Sequence, residues 1–458
     1  MPKIAILGGG IAGLAAAFYL ERERRKGAPV TWMLFEASAN LGGVVKTEHV
    51  DGFLIEQGPD SFLTAKPWAA ELAQELGIAG ELQPSLEATT RTMVLVNGKL
   101  IPMPEGMQMM VPSKIWPVVT TPLFSLQTKL RMALEYMLPP EPLADGQDES
   151  IASFVERHFG KEVLDRVAAP LLTGVFGGDA SALSVRAILP QLVEMEKKHQ
   201  SLAYAAINHR KENKGQKETA LFTTFRGGMQ QLTDTLIANL DPTALELSAP
   251  VHEVHRYYDQ WRVVTADGRY EMFHHVICAL PGHIAGQVLK FAEPELRNEL
   301  IAVPYSSTMT VALAYEKAKL PALPVGYGFL VPRSEGKRMM ACTIVGQKFA
   351  ERVPEDGVLF RVFFTDGLEL SDADAETLAR KELREILGIT AAPKFARIHR
   401  WNHAMPQYTV GHPERLTRIR DLLANHAGLH VVGAAYQGVG IPDCIRGAKE
   451  TALRILSE

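Results

Sequence analysis

The residues best suited to chemistry stand at the start of the chain, in Gly8-Gly9-Gly10-Ile11-Ala12-Gly13, a G-x-G-x-x-G. Lys3 to Leu7 before it is a short isoleucine-rich run, the pattern of a buried parallel strand. Leu14 to Leu20 after it is strongly helix-forming. Gly8 permits the tight turn, Gly10 lets backbone reach a pyrophosphate, and Gly13 lets helix and strand pack closely. The helix N-terminus, with its unpaired N–H groups and positive dipole end, suits phosphates. Residues 29–35 read as a second strand that ends at Glu36, where an acid accepts ribose hydroxyls. These parts together predict a dinucleotide site.

A second glycine pair decides which dinucleotide. Glu36-Ala37-Ser38-Ala39-Asn40-Leu41-Gly42-Gly43 is similar to the E-A-S-x-R-x-G-G stretch of amine-oxidase-like FAD enzymes. It departs at Asn40, where that superfamily usually has arginine, and it leads into Val44. Nicotinamide dehydrogenases have no need of the pair, so FAD is the expected cofactor. Asp51-Gly52 reads as a turn, Phe53 to Glu56 as a strand. The turn Gln57-Gly58-Pro59-Asp60-Ser61 then brings backbone toward the flavin ring. The far end of the chain returns to the cofactor. Leu429 to Ala435 reads as a strand breaking at Gly433, and Gly438-Val439-Gly440-Ile441 precedes a helix whose N-terminus favours negative charge at the flavin N1–C2=O edge. Val251, opening another strand signal, is expected beside the adenine.

A site built from both ends of 458 residues requires insertions between them, so the domains are discontinuous. Strand signals at 251–254, 261–265 and 275–279 read as a meander with a return to the cofactor domain. Alternation at 309–315, 329–331, 339–345 and 358–364 reads as a second sheet, and Thr92 to Leu100 as a hairpin turning at Asn97-Gly98. Residues 62–86 and 148–200 read as helical, with Ser150 as an N-cap, and 208–218 as a hydrophilic loop. Between Pro102 and Pro140 the chain is apolar and rich in Met and Pro. Its Leu126, Leu130, Leu134 and Leu138 recur at helical spacing, as a membrane-facing patch or as core. The expected class is α/β (α+β overall): a Rossmann-like FAD-binding domain (1–86, 238–290, 400–458), a mixed-sheet substrate domain (87–110, 217–237, 291–399) and a helical insertion (111–216).

A net charge of −4 offers no basic footprint for nucleic acid. Cys278, Cys342 and Cys444 fit neither a metal site nor a disulfide framework, which suggests a reducing compartment. No long uncharged apolar run and no signal peptide is evident. The expected location is therefore cytoplasmic, or peripheral on the inner face of the cell membrane. His274-His275 and His412 read as structural, and Cys444 as a small buried thiol. Arg226-Gly227-Gly228 reads as a turn at a domain crossover.

With these pieces placed, the whole chain resembles the oxygen-dependent protoporphyrinogen and coproporphyrinogen III oxidases. The stretches that carry the resemblance are Ile55 to Phe62, Leu171 to Asp179, Met405 to His412 and Gly433 to Cys444. It implies a porphyrinogen substrate, FAD, dioxygen as acceptor with hydrogen peroxide as product, and a helical domain on the membrane. It also implies product handover to a ferrochelatase. The implied chemistry is hydride transfer from a methylene bridge to flavin N5 with loss of a pyrrole proton, in three rounds for six electrons; no side chain is assigned as a base. The resemblance places Gly174 near flavin and substrate, Trp401 along the cofactor, and Ile344 and Phe329 in the substrate cavity. An arginine before the Asn97-Gly98 turn often pairs with a propionate; Arg91 stands one position off and Thr92 holds the matching place. A flavin amine oxidase stays open as an alternative, although only Tyr436 stands where such enzymes typically set two aromatics against the flavin. So does a non-catalytic flavin-binding partner protein. Which porphyrinogen is oxidised also stays open.

Overall fold

The computed structural model describes residues 1–86, 91–108, 110–144, 146–212 and 220–458, without the side chains of Gln108 and Glu212. Lys3–Leu7 is the middle strand of a five-stranded parallel sheet. The order across the sheet is Leu245–Glu246, Thr31–Phe35, Lys3–Leu7, His275–Cys278, Leu429–Val431. Ile4 to Leu7 are wholly buried because both sheet faces are covered. Helices Ile11–Arg25 and Ile441–Ser457 share a core on one face, where Ala12, Ala15 and Ala16 meet Ile445 and Ala448. On the other face a meander of Val251–Tyr257, Gln260–Thr265 and Tyr270–Phe273 packs Val254, Trp261 and Phe273 against Ala5 and Leu7.

The second sheet has seven strands in the order Phe395–Pro406, Tyr305–Glu316, Gly357–Phe364, Ala341–Ile344, Gly328–Leu330, Thr92–Val96, Lys99–Pro102. Asn97 and Gly98 both take positive φ, 51° and 73°, as the two-residue hairpin requires. One face is hydrocarbon: Val311, Phe329, Ile344, Phe360 and Val362 lie against helix Asp372–Leu387. Side chains alternate along a strand, so Thr92, Leu330, Thr343, Arg361, Thr310, His399 and Trp401 share the opposite face.

The helices between Ile115 and Glu212 pack around their own core, with Ser150 capping Ile151–Phe159 through Ser153 N at 3.1 Å. Helix Leu126–Met137 buries Thr128, Met132 and Glu135 and leaves Leu126, Leu130 and Leu134 at 73%, 58% and 51% exposure. Its leucine stripe therefore faces outward. Among the described residues no helix is long and apolar enough to cross a membrane.

Several expectations are corrected. Residues 62–86 are only partly helical: Phe62–Leu63 and Leu82–Pro84 flank Phe222–Phe225 in a small sheet around helix Trp68–Glu75. Phe225, Met229, Leu232 and Leu236 join the cofactor-domain core, so 222–237 does not belong to the second sheet's domain; their apolar periodicity completes the packing on Ile11–Arg25. Phe395–Pro406 is an edge strand of the second sheet, so 400–406 is not part of the cofactor domain. His275–Cys278 is the return strand, and the meander's third strand is Tyr270–Phe273. The expected loop is helical through Glu212, within Leu202–Glu212, and its remainder, 213–218, lies outside the described residues, as do 87–90 of the substrate domain.

Candidate functional site

Helix Ile11–Arg25 begins at Gly10 with no side-chain cap and no acid in its first turn, which leaves the leading N–H groups to a ligand. A Cβ on Gly13 would stand 1.9 Å from Gly8 O, and one on Gly9 would stand 2.2 Å from Leu41 Cδ2. At Gly10 a Cβ would meet no protein atom within 4 Å. Backbone packing thus dictates Gly13, Gly9 is crowded mainly by the tip of the Leu41 side chain, and Gly10 keeps the approach to the helix end clear. Gly8 takes φ +101° and its N–H donates to Phe35 O at 2.8 Å, the tight turn the motif requires.

Three other segments close on the same helix end. A Cβ on Gly43 would lie 3.2 Å from Gly10 Cα, and one on Gly433 3.8 Å from Ala12 Cβ. Glu36 accepts Gly9 N–H at 2.7 Å and Ser38 N–H at 2.9 Å, fixing its carboxylate beside the glycine loop with lone pairs to spare. Ala37 is exposed next to it. Ala249 N–H donates to Glu36 O at 2.9 Å, which brings Val251, two residues on, to the same edge. Val44 is 40% exposed between Gly43 and the turn at Gly58, where a Cβ would strike Val44 O at 1.9 Å. From the far end, Val439 and Gly440 lead into helix Ile441–Ser457, whose N-terminus also lacks a side-chain cap. The carboxylate of Asp443 in its first turn is paired with Lys66 at 2.5 Å. An uncapped helix end ringed by glycines and faced by an acid fits the diphosphate and ribose of FAD. Gly8, Gly10, Ile11, Ala12, Gly13, Glu36, Gly43 and Gly433 would hold it.

The turn Gln57–Ser61 meets the second sheet. Trp401 Nε1 donates to Gln57 O at 2.7 Å, Arg361 donates to Gly58 O, and Lys348 reaches both oxygens of Asp60 at 2.9 Å. Burial would raise Asp60, but Lys348 and Arg361 outweigh it and hold the carboxyl well below its ordinary value of 3.8. Arg352, fully buried, donates to Glu56 at 3.0 Å and to Thr224 and Phe225 O at 2.7 Å. Lys348, Arg352 and Arg361 were not singled out from sequence. The available signal was Arg361 alone inside the apolar run Val358-Leu359-Phe360-Arg361-Val362-Phe363-Phe364, since a charge in a buried strand needs a partner.

On the substrate side, a Cβ at Gly174, in helix Ala169–Phe176, would come within 3.7 Å of Leu330 and 3.8 Å of Ala341, on the sheet's mixed face. A π-helical turn, Leu164–Ala168, runs into this helix, and Phe176 O is tied to Gln407 Nε2 at 2.8 Å. Thr92 lies on the same face. Arg91 is exposed at the strand's start. Phe329 and Ile344 are turned away, into the core under helix Asp372–Leu387, so they do not line the face that Gly174 meets. A strand's period of two puts their neighbours Leu330 and Thr343 there instead.

His412 stacks on Tyr408 at 4.0 Å between centroids and is lowered to about 4, chiefly by burial. His275 stacks on His430, and no metal-binding cluster occurs among the described residues. Cys444 is buried and its thiol is pushed up to about 12 by that burial.

A family model described as flavin containing amine oxidoreductase matches residues 11–456. A coproporphyrinogen III oxidase of Bacillus subtilis (strain 168) is 35% identical over 457 residues, covering 97% of this chain and 96% of that protein. One from Propionibacterium freudenreichii subsp. freudenreichii is 33% identical over 489 residues, covering 99% and 90%. The crystal structure of a protein from Exiguobacterium sp. 255-15, provisionally assigned as a protoporphyrinogen oxidase, superposes with TM-score 0.87 at 31% identity, covering 100% of this chain and 99% of that one.

Proposed function

Because the chain belongs to the family of flavin containing amine oxidoreductases and is an FAD-dependent oxidoreductase, we propose that it oxidises coproporphyrinogen III to coproporphyrin III. Relatives named for that substrate match it along nearly their whole length. The observation that carries the reading is the placement of Gly174. Helix Ala169–Phe176 brings Gly174 against Leu330 and Ala341, where a Cβ would already be in van der Waals contact at 3.7 and 3.8 Å, so any larger side chain would close the approach to the sheet's mixed face. Bound FAD supplies the two-electron chemistry, and dioxygen is the proposed final acceptor, giving hydrogen peroxide. The chain's own part is positional: the glycine cradle fixes the diphosphate, Trp401 braces the Gln57 turn, and the apolar Leu330 and Ala341 wall excludes water.

The test is to follow porphyrin fluorescence with coproporphyrinogen III and protoporphyrinogen IX in parallel, with and without oxygen, and to offer primary amines as a control. Porphyrin formation fastest from coproporphyrinogen III is expected. Amine turnover without porphyrin formation overturns the reading, and flavin binding without turnover of either points to a non-catalytic partner.

We further propose peripheral contact with the inner face of the cell membrane through the outward leucines 126, 130 and 134 with Trp116, Met137 and Leu138, all exposed. Handover of the porphyrin to a ferrochelatase belongs to the same reading. Leu130→Glu with Leu134→Glu is expected to abolish flotation with anionic vesicles while solution activity persists. Unchanged flotation rejects the contact.

A further inference from the structure

The backbone carbonyls of the turn Gln57–Ser61 that have partners are gripped from outside the turn. Gln57 O accepts from Trp401 and Gly58 O from Arg361, while Asp60 O accepts from Thr224 Oγ1 at 2.9 Å. The Asp60 carboxylate takes Lys348 at 2.9 Å and lies 3.7 Å from Arg361. Its amides are different. The N–H groups of Gly58, Asp60 and Ser61 donate to nothing among the described residues. A run of free amides whose carbonyls are tied down on the other side is a surface that favours negative charge. Beneath it, Lys348, Arg352 and Arg361 stand against Glu56 and Asp60, leaving one positive charge in excess.

We propose that Lys348 and Arg361 are positioning residues that fix this turn with its amides toward the cofactor ring and, with Asp60, set how readily bound flavin accepts electrons. The proposal rests on the flavin reading above. Reduction adds negative charge at the ring, so a nearby cation favours it and a nearby carboxylate opposes it. Charge and sign therefore make the test, because a merely structural disturbance has no reason to follow the sign.

The experiment is a spectroscopic measurement of the flavin midpoint potential in the purified holoprotein. Lys348→Met is expected to lower the two-electron reduction equilibrium by roughly tenfold, about 30 mV, and Asp60→Asn to raise it by a comparable factor. Lys348→Arg keeps the charge and is expected to leave the potential in place. Shifts of the same sign in Lys348→Met and Asp60→Asn, or no shift in either, overturn the proposal. Should Lys348→Met release its flavin, Lys348→Arg unchanged with Asp60→Asn raised still supports it, and any other pairing rejects it. Wild-type protein that binds no FAD defeats the flavin reading itself. Bound FAD and porphyrin formation with an unresponsive potential defeat only this proposal.

Discussion

Glu56 and Arg352 meet where the cofactor domain joins the seven-stranded sheet, and Glu135, His158 and Glu196 meet in the middle of the helical region. Both groups are buried, and each ties together segments far apart in sequence. The first uses an arginine whose fork reaches Glu56, Thr224 and Phe225 O at once, with Lys348–Asp60 beside it. The second brackets a histidine. His158 Nδ1 lies 3.0 Å from Glu135 and its Nε2 3.0 Å from Glu196, while Glu135 also accepts the backbone N–H groups of Leu202 and Ala203. Three helices thus converge on one ring, and a fourth joins them through Glu135.

The difference lies in which proton matters. Burial opposes a charged His158, but the two carboxylates outweigh it and raise it above its ordinary 6.5. A raised histidine stabilises the fold fully below 6.5, and that share is lost as pH climbs through the folded value. Asp60 is lowered, so its share is present above 3.8 and is lost only as pH falls below that. The helical region is therefore sensitive toward alkali and the Asp60 ion pair toward acid.

The largest effect is expected at the domain junction. Arg352→Met leaves Glu56 buried without its cation and is expected to cost about 3–5 kcal/mol in urea unfolding of the holoprotein. Adding Glu56→Gln should recover more than half, and a double variant as unstable as the single breaks the ion-pair account. Next comes His158→Gln, expected to cost about 2–3 kcal/mol through its two charged hydrogen bonds. The melting temperature of the wild type should fall from pH 6.5 upward, and this slope should vanish in the variant. A slope that survives removes histidine from the comparison. Smallest is Ser150→Ala, at the start of the helix that carries His158. Loss of its cap to Ser153 should cost about 1 kcal/mol at all pH values, separating a local hydrogen bond from a titrating one.

Much of the cofactor end was legible in the chain. Gly13 and Gly58 are forced because a Cβ at either would stand 1.9 Å from a backbone oxygen, and such constraints act between residues close in sequence or locked in one motif. The hairpin at Asn97-Gly98 and the cap at Ser150 were legible for the same reason: turn and cap chemistry is local. The substrate end was less so. Phe329 and Ile344 have the right character for a cavity wall, but a strand's two faces differ by one residue, and only the register chooses between them. The leucines at 126, 130 and 134 posed a similar problem, since helical spacing identifies a stripe without saying whether core or solvent lies beyond it.

By itself the sequence determined the nucleotide-binding strand, turn and helix, the return of the chain's far end to them, and the cofactor class. Each follows from short-range sterics and periodicity. Only the tertiary structure decided that Arg352 finds Glu56 at a separation of 296 residues and that Lys348 finds Asp60 at 288. It alone placed Phe395–Pro406 at the edge of the second sheet and brought Gly174 beside Leu330. Long-range pairings of this kind leave no periodic trace, because what selects a buried charge's partner is the geometry of the whole fold around it.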